Sequence, residues 1–135
     1  MKIELTDKEF RRLLDLVYIG NWILNSTRGD DRIEDYDHVE SKIFSYCIDA
    51  DMPELYEIRD GVVVPSAAFE NGGIHESIAD YEDTVFFEIL AEELARRDMD
   101  YEHIEPDDYE LASRIDEYIQ EFEQNGMDNL VLIRD

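Results

Sequence analysis

The stretch Phe10–Leu24, FRRLLDLVYIGNWIL, constrains the fold more than any other, because it is too apolar to lie on a surface. At 100° per residue, Phe10, Leu13, Leu14, Leu16, Val17, Ile19, Ile23 and Leu24 cover most of a helix circumference. One narrow polar stripe remains, made of Arg11, Arg12 and Asp15. A helix so distributed needs partners on nearly every side, so the rest of the chain is expected to pack around it. Thr6 and Glu9 have capping-box spacing and set its start. The run Asn25–Asp30 favours turns over helix interior and sets its end.

The remaining elements follow from the same periodicities. Tyr36, Val39, Ile43 and Cys47 fall at three- and four-residue steps and predict a second helix over Glu34–Ile48. Residues 55–64 read as a β-hairpin turning at Asp60-Gly61, before the β-branched run Val62-Val63-Val64. Ser66–Tyr81 reads as two short helical turns parted at Gly72-Gly73. A third substantial helix is expected from Asp83 or Thr84 to Arg97, with Phe86, Phe87, Leu90, Ala91 and Leu94 on its apolar arc and Glu92–Arg96 and Glu93–Arg97 pairs outside. Pro106 suits the first position of a last helix whose arc is Leu111, Ala112, Ile115, Tyr118, Ile119 and Phe122, stopped at Asn125-Gly126. Lys2–Leu5 and Leu130–Ile133 are expected as short terminal strands. The expected fold class is therefore α+β and predominantly helical. About four main helices pack around the first (6–25), with a small hairpin (55–64), and residues 1–135 form a single domain.

Charge narrows the function. Against 36 acidic residues stand 12 basic ones, a formal charge of −24. Such a field repels phosphates and anionic lipid, which argues against direct nucleic acid or membrane binding and towards a basic protein as partner. The basic pairs Arg11-Arg12 and Arg96-Arg97 each sit in a helical pattern and make no patch. The lone Cys47, between Ile43, Phe44 and Ile48, is expected to be a buried, inert thiol. The segment MKIELTDKEF lacks the apolar core of a signal peptide, and the first helix is too polar to span a bilayer, so a cytoplasmic location is expected.

Site chemistry is sparse. Asp98, Asp100 and Glu102 have the spacing of the first ligands of an EF-hand loop, but His103 stands where glycine is needed and Tyr109 where a bidentate glutamate is needed. The three histidines, His38, His75 and His103, form no Glu-x-x-His motif. No nucleophile elbow occurs, and Gly72-Gly73 fits a bend better than a phosphate loop. No metal and no cofactor are therefore expected. Trp22 and Tyr18 fall beside the polar stripe of the first helix, where they either anchor a partner or are covered by the hairpin or the acidic loop. The acids Asp30, Asp31, Glu34, Asp35 and Asp37 precede the second helix, and a second acidic cluster precedes the last.

The LTDKEFRRLLDLVYIGNWILN helix, together with the later YEDTVFFEILAEELARRD segment, resembles small acidic bacterial proteins of uncharacterised function. That resemblance implies a single compact bacterial domain and carries no activity or site residues with it. The expectation is thus a non-enzymatic, acidic, protein-binding protein of the bacterial cytoplasm, with a homo-oligomer left open. Its contact residues would be Trp22, Tyr18, Asp98, Asp100, Glu102, Glu105, Asp107 and Asp108. Two alternatives stand beside it: an enzyme or divalent-cation-binding protein using clustered carboxylates, and a DNA mimic that inhibits a DNA-binding protein.

Overall fold

A computed structural model describes residues 1–105 and 107–134. Among the described residues the chain is mostly helical, with four main helices and one two-stranded antiparallel hairpin. It divides into two compact units, Met1–Ile78 and Ala79–Asp135.

In the first unit, α1 (Asp7–Asn25) begins with the expected capping box. The Glu9 amide donates to the Thr6 hydroxyl at 3.2 Å, and the Thr6 amide donates to the Glu9 carboxylate at 2.8 Å. Its buried residues are Leu14, Tyr18, Asn21 and Asn25. They meet Phe44 and Cys47 of α2 (Glu34–Asp49), Leu55 from a short 3-10 turn, Phe69 of the one-turn α3 (Ala67–Phe69), and Ile78 near the start of α4 (His75–Tyr101). Phe69 sits between Tyr18 and Phe44, edge-on to both, at centroid distances of 5.3 and 5.0 Å. The side of α1 away from this core is bare: Leu16 is 70% exposed and Ile23 53%. The expectation of partners on nearly every side is corrected here, because two asparagines occupy buried seats while leucine and isoleucine face outward.

The hairpin pairs β1 (Tyr56–Arg59) with β2 (Val62–Pro65), Arg59 opposite Val62. Its two-residue loop has positive φ at both Asp60 (51°) and Gly61 (78°), the backbone of a type I′ turn. No third strand joins this sheet among the described residues, so the terminal strands expected at Lys2–Leu5 and Leu130–Ile133 are corrected. Ile3 is 71% and Ile133 93% exposed. A short β-branched run fits a pleated surface only where a partner edge meets it.

The third substantial helix also differs from expectation at both ends. Ser66 caps α3 by accepting from the Phe69 amide at 3.1 Å, and the chain bends at Gly73, whose φ is +116°. From His75 the helix runs unbroken to Tyr101, where a start at Asp83 or Thr84 was expected. The segment 75–83 is polar and mostly exposed, so it shows no apolar period, yet it contains no helix breaker. Both α2 and α4 stop in Schellman fashion. Met52 donates to the Cys47 carbonyl and Ile104 to the Met99 carbonyl, with Asp51 (φ 54°) and His103 (φ 56°) at the left-handed position.

In the second unit α5 (Asp108–Asn125) packs on α4, with Ala91, Leu94 and Phe122 buried among Phe87, Leu90, Ile115, Tyr118 and Ile119. Asp107 caps α5 by accepting from the Tyr109 amide at 2.9 Å. Pro106, expected at the first helical position, lies outside the described residues. Gly126, with φ 57°, ends the helix as expected.

Candidate functional site

A polar network crosses the contact between α1 and α2. The Asn21 amide donates to Asp37 at 3.0 Å and to Glu40 at 2.5 Å. Asn25, 1% exposed, donates to the Asn21 carbonyl oxygen at 2.7 Å and to the Ile33 carbonyl at 3.0 Å, and accepts from the Ile33 amide at 2.8 Å. Ile33 is the N-cap of α2 and has no side-chain cap of its own, so Asn25 supplies a partner for its backbone. Burial pushes the Glu40 carboxyl above its usual range, against the downward pull of the Asn21 hydrogen bond. Asp37 goes the other way: hydrogen bonds from Arg32, at 2.6 and 2.7 Å, hold it below the usual carboxylate range. The network fastens two helices together.

Tyr18 and Trp22 are placed by the same unit. Tyr18 is buried beside Phe69, and its hydroxyl lies 2.6 Å from Nε2 of His75. Burial, with Glu70 and Glu40 nearby, pushes the phenol up to about 12, so the hydroxyl keeps its proton at neutral pH. Trp22 is half-buried, and His75 stands edge-on to its ring at 6.0 Å. The covering ring thus comes from the first residue of α4, where the hairpin or the acidic loop was expected. Tyr18 is thus a core residue, with 7% of its surface exposed. The polar stripe beside them is tied down as well, since Arg11 pairs with Asp15 at 2.7 Å and lies over the Phe69 ring at 4.8 Å.

The acidic connector lies in the second unit. Asp98 is half-buried and accepts from the Tyr118 hydroxyl and, at 2.8 Å, from Arg97, which reaches it in place of the expected Glu93. Burial alone would raise its carboxyl, but those two bonds outweigh it and hold it below its ordinary value. Glu102 pairs with Arg114 at 2.5 Å, and Asp107 serves as the cap of α5. Asp100, Glu105 and Asp108 stay exposed. Asp98, Glu102, Glu110, Glu117 and Glu121 line one shallow groove of about 440 Å³, with Arg114 and Tyr118 among them. The calcium-like spacing fails in a further way: Asp98 and Asp100 lie inside the last turn of α4, so no ligand loop begins there.

No protein-family model matches this chain, and no curated protein or solved structure matches it. Chemistry must therefore be read from the side chains alone. Among the described residues no group of three or more histidine, cysteine, aspartate or glutamate side chains could hold a metal ion. Cys47 is fully buried and burial pushes its thiol up, which leaves little thiolate at neutral pH. No helix among the described residues is long and apolar enough to cross a membrane.

What does stand out is the fate of the positive charge. Among the described residues, nine of the 12 basic ones, Lys2, Arg11, Arg12, Arg28, Arg32, Arg59, Arg96, Arg97 and Arg114, are ion-paired with carboxylates of the same chain. In the acidic cluster ahead of α2, Asp31 and Asp37 are bound by Arg28 and Arg32. Asp30, Glu34 and Asp35 of that cluster stay exposed, as do Asp100, Glu105 and Asp108 of the connector between α4 and α5. Sequence reasoning missed Asn21, Asn25, Glu40 and His75. Asn21 and Asn25, four residues apart on an apolar helix, were the available signal.

Proposed function

We propose that the protein acts by binding a basic protein partner through the carboxylates of the α4–α5 connector, without catalysing a reaction. The observation that supports this reading is the internal pairing of nine of the 12 basic residues, set against a net charge of −24. Cations already held by the chain's own carboxylates do not recruit an anionic ligand, whereas the surplus carboxylates attract a cationic one over a Debye length of about 8–10 Å. Asp100, Glu105, Asp107 and Asp108 are exposed, and Glu102, also exposed, lines a groove with Asp98 and Glu110.

The test is affinity capture from an extract of the source cell at about 50 and about 500 mM salt, using the full chain and an Asp100→Asn, Glu105→Gln, Asp108→Asn variant. Retained proteins are expected to be basic, to leave at the higher salt, and to be depleted at least about tenfold on the variant, a difference of about 1.4 kcal/mol. Capture dominated by neutral or acidic proteins, or equal on both baits, would overturn the reading.

A further inference from the structure

Helices α4 and α5 run antiparallel, since Phe87 meets Phe122 at a ring-centroid distance of 5.3 Å while Glu102 meets Arg114. Two paired helices bury only the sides they turn to each other, and the groove between them is the seat a third helix takes in a bundle. On one side of this pair the groove holds about 750 Å³, all of it within the second unit. Its floor is Phe87, Ile115, Ile119 and Phe122, and its rim carries the exposed carboxylates of Asp83, Glu88 and Glu123. Among the described residues no lysine or arginine lines it. Two other grooves of this unit hold cations of their own, Arg96 and Arg97 in one and Arg114 in the other.

We propose that this groove docks an amphipathic helix of a partner protein, with apolar residues at three- and four-residue steps on the floor and lysine or arginine beside them against the rim. From Ile115 to Glu123 the chain rises about 12 Å, so the floor takes about two turns of such a helix, with anchors at i, i+3 or i+4, and i+7. Charge selects among the occupants that an apolar groove admits. A fatty acid or an acidic peptide would bring an anion to the three rim carboxylates, and a second copy of this chain would bring a net charge of −24. A neutral apolar helix would leave the rim without counter-charge, whereas flanking cations complement it. The groove lies towards the ends of α4 and α5 that the connector does not join, so the inference does not rest on binding at the connector.

The probe is a synthetic peptide of about 14 residues, leucine and lysine at helical spacing, titrated into the full chain at about 150 mM NaCl and followed by fluorescence anisotropy and backbone amide NMR shifts. Shifts are expected to concentrate at residues 83–88 and 115–123. A peptide of the same composition with leucine and lysine alternating, and a leucine–glutamate peptide at helical spacing, are each expected to bind at least about tenfold more weakly. Thr84→Arg, which sets a cation on the exposed lip of the groove, is expected to weaken binding at least about tenfold, with unchanged helical circular dichroism. Neutralising the rim as Asp83→Asn, Glu88→Gln, Glu123→Gln is expected to weaken it at least about fivefold, whereas the connector variant of equal net charge stays within about twofold of the natural chain. No binding up to about 1 mM peptide would overturn the proposal. Equal affinity for the alternating peptide, equal losses from the two neutralised variants, or shifts spread over the whole acidic surface would overturn it too.

Discussion

Glu40 lies 2.5 Å from the Asn21 amide, and burial raises its carboxyl pKa above the unfolded value. A group raised on folding contributes stability that is fully present below its unfolded pKa and is lost as pH climbs through the folded one. Glu40→Gln keeps an acceptor for Asn21 and removes the buried charge. It is expected to raise the thermal midpoint near pH 7 and to leave it unchanged near pH 4, as read by circular dichroism. Asp37 has the opposite sign, because Arg32 lowers its pKa, so its contribution is present above the unfolded value and fades as pH falls. Asn25→Ala leaves the Ile33 amide and carbonyl without their side-chain partner and is expected to cost about 1–3 kcal/mol in denaturant unfolding. None of these pairings could be read from sequence. Asn21 and Asn25 stand out as polar residues in an apolar helix, but their partners at 33, 37 and 40 depend on how α2 is set against α1. The Tyr18–His75 contact, spanning 57 residues, is more remote still.

The helices were legible wherever an apolar period accompanies a cap, as at Thr6 and at Gly126, because both signals are local. The hairpin was legible for the same reason: Asp60-Gly61 encodes its own turn. The first turns of α4 were not, since residues that face solvent leave no apolar trace. The terminal strands were misread because strand formation depends on a neighbouring edge that no local pattern specifies. Caps and left-handed positions carry the tests at this scale. Thr6→Ala removes the capping box of α1 and is expected to cost about 1 kcal/mol. His103→Gly relieves a left-handed φ of 56° and is expected to add about 0.5–1 kcal/mol, measured by urea unfolding.

Across the whole molecule the dominant quantity is charge, and it was fully legible in the sequence, but its layout was not. Composition says that 36 acids outnumber 12 bases, whereas only the structure distributes the bases among named carboxylates. That distribution ties Asp31 and Asp37 ahead of α2 to Arg28 and Arg32, while Asp30, Glu34 and Asp35 there and Asp100, Glu105 and Asp108 in the connector remain exposed. Self-repulsion of the compact chain is expected to fall as salt screens it, so the thermal midpoint should rise between about 10 and about 300 mM NaCl. The most direct measurement is the affinity of the captured basic protein for three forms of the chain at one ionic strength. These are the natural chain, the Asp100→Asn, Glu105→Gln, Asp108→Asn variant, and an Asp80→Asn, Glu76→Gln, Glu82→Gln variant of equal net charge. A dedicated connector surface gives a loss of at least about tenfold for the first variant and almost none for the second. Equal losses would mean that the partner responds only to total charge, and would contradict a binding site on the connector.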